Sequence, residues 1–294
     1  MRAVVGVSLG ASAVRAAIMD PMGRALLGTE SVTVPRGRDR LEAAVEVVDS
    51  VCARHAGNRE SAVLVVPDDP RCRVGSAATV LHEGGCVRVA SELGAQLTYL
   101  TLRGLVEPQS TIAVVDIGKS GTSVSVVDVG SGIVHDADWS DAFRGATVAA
   151  AVREHLLAAY GTSAPRTASA DAALDDGVEW ALEMLAVHRA VQVGGPFLGG
   201  SVTVFRTTVD RLVLDAVTAV SSWVYDVVAR GRRRVDTVVL VGGPANLPLV
   251  RGVFAQQWGE ALVMPAEPQS LAARGAAVLA ARTALAGRQY ASAS

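Results

Sequence analysis

The chain has 294 residues, of which half are hydrophobic and 19% charged, a balance that excludes disorder, collagen-like repeats and a bare disulfide scaffold and gives apolar material for one large domain or two lobes. A formal net charge of −2 and an aromatic content of 4% supply neither a field toward phosphate backbones or anionic lipid nor rings for base stacking, so no nucleic-acid partner and no membrane insertion are expected. Cys52, Cys72 and Cys86 are odd in number and lack a C-x-x-C pair, which argues against a disulfide framework or zinc site and fits a reducing cytoplasm.

The start, MRAVVGVSLGASA, imitates a signal peptide, but Gly6 and Gly10 break its apolar run and Arg15 follows at once, so it is read as retained. No uninterrupted apolar run reaches the ~18 residues of a spanning helix. Residues 3–20 read as a strand, a Gly/Ser turn and a second strand with Val14, Ala16 and Ile18 inward. A strand follows over Leu26–Val34. Leu41–His55 then predicts a helix with Leu41, Val45, Val48, Val51 and Cys52 on its inner face, stopped by Gly57. The unbroken run SAVLVVP (61–67) predicts a strand buried on both faces, followed by a helix over Gly75–His82. Val89–Leu102 reads as a helix with Leu93, Gln96, Leu97 and Leu100 together. TIAVVDIGKSGTSVSVVDV (111–129) then repeats the opening hairpin, which predicts two lobes of related design.

A helix is predicted over Ala146–Tyr160, then a Ser/Thr/Pro/Ala-rich link (161–170), then a helix over Ala172–Val193 ended by Gly194-Gly195-Pro196. Val202–Phe205 is a short strand. Thr207 is read as the N-cap of a long helix through Arg230, with Val209, Leu212, Val213, Ala216, Val220, Val224 and Val227 inward and arginines at the end that the dipole favours. Arg230 and Arg232 to Arg234 read as a solvated helix end. VDTVVLVGGPANLP (235–248) is a buried strand entering a Gly-Gly turn, Leu249–Gln257 a helix, Ser270–Leu285 the last helix, and 286–294 a mobile tail.

Three glycine-bearing turns each follow a hydrophobic strand: Ser8 to Ser12, Asp116 to Thr122, and Gly242 to Asn246. Glycine lets backbone N–H groups approach phosphate oxygens, and successive N–H groups in a turn make an anion-binding concavity, so this order suits a nucleotide. Lys119 is the only lysine in the chain and sits inside the second turn, where it would act on phosphate as a point charge; the bland alternative is an exposed turn lysine. His55, His82, His135, His155 and His188 show no H-x-x-x-H spacing, Asp68-Asp69 and Asp175-Asp176 read as a loop and a helix start, and no Ser-centred elbow or Cys/His nucleophile occurs.

The order of these turns resembles the nucleotide-binding domain of the actin and DnaK-type heat-shock chaperone superfamily. VVLVGGPANLPLVRGVF (238–254) is similar to its adenosine motif, EPQSLAARGAAVLAA (267–281) to its closing helix, SAVLVVPDD (61–69) to its strand ending in Val-Pro, and SELGAQLTYL (91–100) to its connecting helix. The resemblance implies a two-lobed α/β, ribonuclease H-like fold, each lobe a mixed sheet with flanking helices: an N-terminal lobe over 1–110 and a C-terminal lobe over 111–285. It implies ATP or ADP in a central cleft, contacted by Gly10, Ser12, Gly118, Lys119, Gly121, Thr122, Gly242, Gly243 and Asn246, with Gly242 bare to leave room for the nucleoside. It also implies Mg²⁺ on Asp116, with Asp116 and Glu92 as the catalytic carboxylates and Arg189, on the helix before the long one, beside the nucleoside.

The departures are specific. Ser8 stands where the family keeps a metal-holding aspartate, Ala11-Ser12 replace its hydroxyl pair, and Gly121 and Ser123 replace a Thr and an Asp. The family's catalytic lysine has no counterpart. Asp116 with Glu92 would hold magnesium only weakly, so hydrolysis is more affected than binding. Because the chain ends at the closing helix, a peptide-binding domain is not expected. The reading is therefore a nucleotide-linked switch or chaperone-like factor with a protein partner. The alternatives are a non-hydrolysing pseudo-ATPase scaffold and a sugar-kinase-like enzyme, the last lacking a candidate catalytic carboxylate on the acceptor side.

Overall fold

The computed structural model describes residues 3–34, 38–56, 59–67, 88–160, 167–195, 198, 200–231 and 233–291. The expected helix at Gly75–His82, the stop at Gly57, Cys72 and Cys86 lie outside them. The chain divides into two compact units: unit 1 comprises Met1–Ile112, Val127–Val134 and Pro265–Ser294, and unit 2 comprises Ala113–Val126 and His135–Met264. Each carries a five-stranded sheet with flanking helices, an α/β architecture of the actin-like ATPase type.

In unit 1, β1 (Val4–Leu9) and β2 (Ala13–Met19) form the predicted hairpin, and β3 (Leu26–Thr33) continues it antiparallel. β4 (Ala62–Val66) and β5 (Arg88–Ser91) add on parallel to β1, giving the order β3-β2-β1-β4-β5. Every residue of β1 and β4 is buried, as an unalternating β-branched run demands. Helix α1 (Arg40–Val51) starts at the N-cap Asp39, whose carboxylate accepts from the Leu41 and Glu42 amides, and runs into a π-helical turn, Cys52–Ala56. Its buried face is Ala43, Ala44, Val47, Val48 and Val51, so Leu41 and Val45 flank the core rather than centre on it. The expected helix at 89–102 begins only at Glu92: 88–91 are β5, and Ser91 caps α2 (Glu92–Leu102) by accepting from Gly94 N at 3.1 Å.

The last helix, α7 (Leu271–Ala291), packs on β1, β2, β4 and α2. It therefore belongs with the first unit, not with a lobe ending at 285, and it runs on through the residues expected to be a tail. Small residues permit this. A Cβ at Gly6 would overlap the Ala273 carbonyl and Ala277 amide, and one at Gly275 would overlap the Ala95 carbonyl. Arg274, 5% exposed, is held by the Glu267 carboxylate and donates from Nη1 to Tyr99 Oη at 3.4 Å. Glu267 is the one non-glycine residue with positive φ (53°) among those described.

In unit 2 the sheet order is β12-β11-β6-β7-β8, from β6 (Thr111–Ile117), β7 (Thr122–Asp128), β8 (Val134–Ser140), β11 (Thr237–Val241) and β12 (Leu262–Val263). Helices α3 (Gly145–Tyr160), α4 (Ala168–Leu185), α5 (Arg206–Arg230) and α6 (Pro248–Trp258) supply Val152, Leu156, Leu174, Val178, Val217, Val224 and Phe254 to its core. The helix expected over 172–193 stops at Leu185, and Ala190–Gly195 is instead strand β9, paired antiparallel with β10 (Gly200–Phe205). Arg206 imposes the stop: its Nε donates to the Leu185 carbonyl at 2.8 Å and its Nη2 to that of His188 at 2.7 Å, capping the open end of α4. α5 starts at Arg206 after Phe205, not at Thr207. By length and apolar composition α5 alone among the described helices could cross a membrane. Its valine stripe is buried in the unit 2 core and its outer face carries Arg211, Asp215 and Asp226.

Candidate functional site

The expected site residues divide between the units: Gly10, Ser12 and Glu92 in unit 1, and Asp116, Gly118, Lys119, Gly121, Thr122, Arg189, Gly242, Gly243 and Asn246 in unit 2.

In unit 1, Ser8 pairs with Val65 and Val66 with Ser91, so parallel β1, β4 and β5 end at one sheet edge. Open α/β sheets bind ligands outside such carboxyl ends. The Gly10–Ser12 turn and Glu92 both stand there, two strands and so about 10 Å apart. The turn is closed by Gly10 N donating to Ala13 O at 3.0 Å; a Cβ at Gly10 would lie 2.7 Å from that oxygen, which is why the position is bare. Ser12 anchors the next element, its carbonyl accepting from Val34 N at 2.9 Å. Glu92 is the first residue of α2, where the helix dipole favours a carboxylate whatever else it does. Ser8 is 6% exposed, a buried hydroxyl where the family places a charge.

In unit 2 the second hairpin turn repeats the first closure: Gly118 N donates to Gly121 O at 2.8 Å. The amides of Lys119 and Ser120 make no backbone hydrogen bond among the described residues, and neither do those of Ala11 and Ser12. Each turn thus presents two successive N–H groups, the arrangement that receives an anion. The carbonyls of the second turn are used from behind, Gly118 O accepting from Gly145 N at 2.9 Å and Lys119 O from Ala146 N at 3.1 Å, which satisfies the first amides of α3. Gly121 backs onto the Trp139 ring, which a Cβ would overlap. Thr122 is fully buried and donates to the Phe143 carbonyl at 2.7 Å; its hydroxyl holds the connection between β8 and α3 and is not available to a ligand.

The two glycines beyond β11 differ sharply. Gly242 has φ +93°, and a Cβ there would overlap the Ile117 carbonyl and lie 2.7 Å from Asp116 Oδ1. Its bareness is thus required by the end of β6, correcting the expectation that it clears space for a nucleoside. Gly243 has φ −63° and ψ −52°, conformations any residue adopts, and a Cβ there meets nothing within 4 Å. If a ligand needs a bare backbone at this corner, Gly243 is where it shows. Asn246 is committed to the corner itself, its Nδ2 donating to Gly243 O at 3.2 Å and its Oδ1 accepting from Arg251. A Cβ at Gly145 would lie 3.3 Å from Lys119 Cα and 3.5 Å from Pro244 Cγ, so the phosphate-type turn and the Gly-Gly corner are neighbours within this unit. Arg189 falls in the turn after α4, its side chain exposed, so the helical register that put it beside a nucleoside does not exist.

Lys119 is tied down: its Nζ pairs with the Glu179 carboxylate on α4. Glu179 carries no motif of its own in the sequence, yet it belongs to an acidic row at four-residue spacing, Asp171, Asp175, Glu179 and Glu183, that lies on one helical face. Arg153 takes the first two rungs and Lys119 the third. Among the described residues no three His, Cys, Asp or Glu side chains come together as a metal cluster.

A family model described as Hsp70 protein matches residues 86–289, more than two-thirds of the chain. The chain belongs to the Hsp70 protein family. It is thereby a member of the nucleotide-binding, chaperone-like branch of the actin-like ATPases. The Hsp70 match takes in Glu92, the 118–121 turn, the Gly242-Gly243 corner and most of α7, and begins after the first hairpin.

Proposed function

We propose that this Hsp70-family chain binds ATP or ADP as a nucleotide-linked switch, its occupancy altering the surface offered to a protein partner in the cytoplasm. The observation that carries the reading is Gly243: a glycine that neither dihedral strain nor packing requires, beside a turn whose two amides make no backbone hydrogen bond among the described residues. Close approach of a ligand gives glycine a use at such a point. Magnesium usually reaches a protein through one or two carboxylates plus substrate phosphates. The donor set of unit 2 fits an ion of that kind: Asp116, half-buried at the end of β6, is the carboxylate that would hold it, and the ion would supply charge neutralisation at the phosphates. The test is Gly243→Val, which should fold and melt like the parent but lose the rise in melting temperature that millimolar ATP gives the parent. Binding undiminished in the folded variant refutes the placement.

Buried Ser8 in unit 1, at the position where the resemblance places a metal-holding aspartate, favours a second reading, binding without turnover. A preorganised carboxylate at the transferring phosphoryl group is a large catalytic contribution, and Ser8 removes one of the aspartates of the family's pattern while Asp116 keeps another. Phosphate release under single-turnover conditions decides between the two: release on the minute scale supports a hydrolysing switch, and none over hours supports a scaffold that reads nucleotide occupancy alone.

A further inference from the structure

The Lys119–Glu179 pair joins a turn suited to anions to the middle of a helix 60 residues away in sequence. Lys119 is the only cation in that turn, and its Nζ is engaged by a carboxylate rather than presented free. The side chains are 34% and 35% exposed, so the pair lies at the surface of its unit, where a ligand can reach it and where it is weak enough to exchange. The row on α4 explains why Glu179 is there: Arg153 satisfies Asp171 and Asp175, which leaves Glu179 to Lys119. The turn carbonyls are fixed by the start of α3, so the turn backbone is held independently of the ion pair that the lysine side chain makes.

We propose that Glu179 is a built-in competitor for the nucleotide phosphates, holding Lys119 until a polyphosphate displaces it and so coupling phosphate binding to release of α4 from the turn. The inference rests on the nucleotide reading above and adds a positioning residue to it. A phosphate chain placed on the amides of Lys119 and Ser120 offers oxygens that the ammonium can take in place of one carboxylate oxygen. Glu179 thus lowers affinity for phosphate-bearing ligands and leaves the nucleoside part untouched.

The test is calorimetric titration of the full chain and its Glu179→Gln, Lys119→Met and doubly substituted variants with ATP, pyrophosphate and adenosine. Glu179→Gln should bind ATP and pyrophosphate about two- to fivefold tighter, the range set by a surface ion pair, with adenosine unchanged. Lys119→Met should weaken both phosphate ligands, and adding Glu179→Gln to Lys119→Met should restore nothing. Equal ATP affinity in the parent and Glu179→Gln overturns the inference while leaving nucleotide binding standing, as does the same tightening with Lys119 absent, which would make Glu179 only a repelling charge. No binding of ATP by any of the four folded proteins overturns the nucleotide reading, and the inference with it.

Discussion

The two glycines after β11 make opposite demands on a single added methyl group. At Gly242 an alanine must hold φ near +93° and accommodate a Cβ that overlaps the Ile117 carbonyl. A left-handed non-glycine residue costs about 1–3 kcal/mol, and overpacking against fixed atoms about as much again, for roughly 4 kcal/mol together. In a unit of this size each kcal/mol moves the melting temperature by about 2–4 °C, so Gly242→Ala should melt on the order of 10 °C below the parent. Gly243→Ala, at φ −63° with open space around its Cβ, should melt no lower, since such a change restricts the unfolded chain and stabilises by about 0.4–1 kcal/mol. Thermal melts followed by circular dichroism, without nucleotide, measure both. If Gly242→Ala melts with the parent, or Gly243→Ala falls as far as Gly242→Ala, the packing described at the end of β6 is wrong.

Glu267→Ala should destabilise unit 1 by about 3 kcal/mol, because it strands the buried Arg274 guanidinium; denaturant unfolding reads this, and Glu267→Ala combined with Arg274→Met should recover much of the loss. Burial, with the Asp49 carboxylate adding to it and Arg59 opposing, pushes the Cys52 thiol up to about 11. Its contribution to stability is therefore complete below the unfolded thiol's range and is lost as pH rises toward 11. In a Cys72→Ser, Cys86→Ser chain, native protein at pH 8 should accordingly leave Cys52 unmodified by a thiol reagent that labels it at once in denaturant, and prompt labelling of that native chain would contradict its burial.

The elements legible in the sequence are those whose cause is local. β1, β4, β6 and β11 are predominantly apolar runs, and the glycine turns after β1 and β6 announce the hairpins, so a mixed sheet in each unit could be anticipated, though not β5, β8 or β12. The stop of α4 at Leu185 could not be read, because Ala186-Val187-His188 contains no breaker and the cap is supplied by Arg206 from beyond two strands. β8 carries no apolar run to announce it: it is a polar edge strand, with Asp136 and Asp138 paired to Arg230. At the candidate site the turns were legible and the partners were not. Nothing at Lys119 points 60 residues on to Glu179, and only the acidic row on α4 hints that a cation must come to it. Thr122 and Gly242 looked like ligand contacts because sequence shows a residue's type but not that its hydroxyl or its bare face is already taken by Phe143 or Ile117.

The seating of α7 on β1 has a consequence for the order in which the protein is assembled. A Cβ at Gly6 would overlap the Ala277 amide, so the core of unit 1 joins the two ends of the chain's described sequence, while 135–264 of unit 2 is one continuous stretch. Contacts of such long sequence separation form late, after the entropy of closing the intervening loop has been overcome. On the ribosome, unit 2 can therefore collapse as soon as it emerges, whereas β1, β2 and β4 wait with apolar surface uncovered until the alanine face of α7 is synthesised. During that interval the nascent N-terminal sheet carries the exposed apolar surface and unpaired edges that make folding intermediates prone to aggregate.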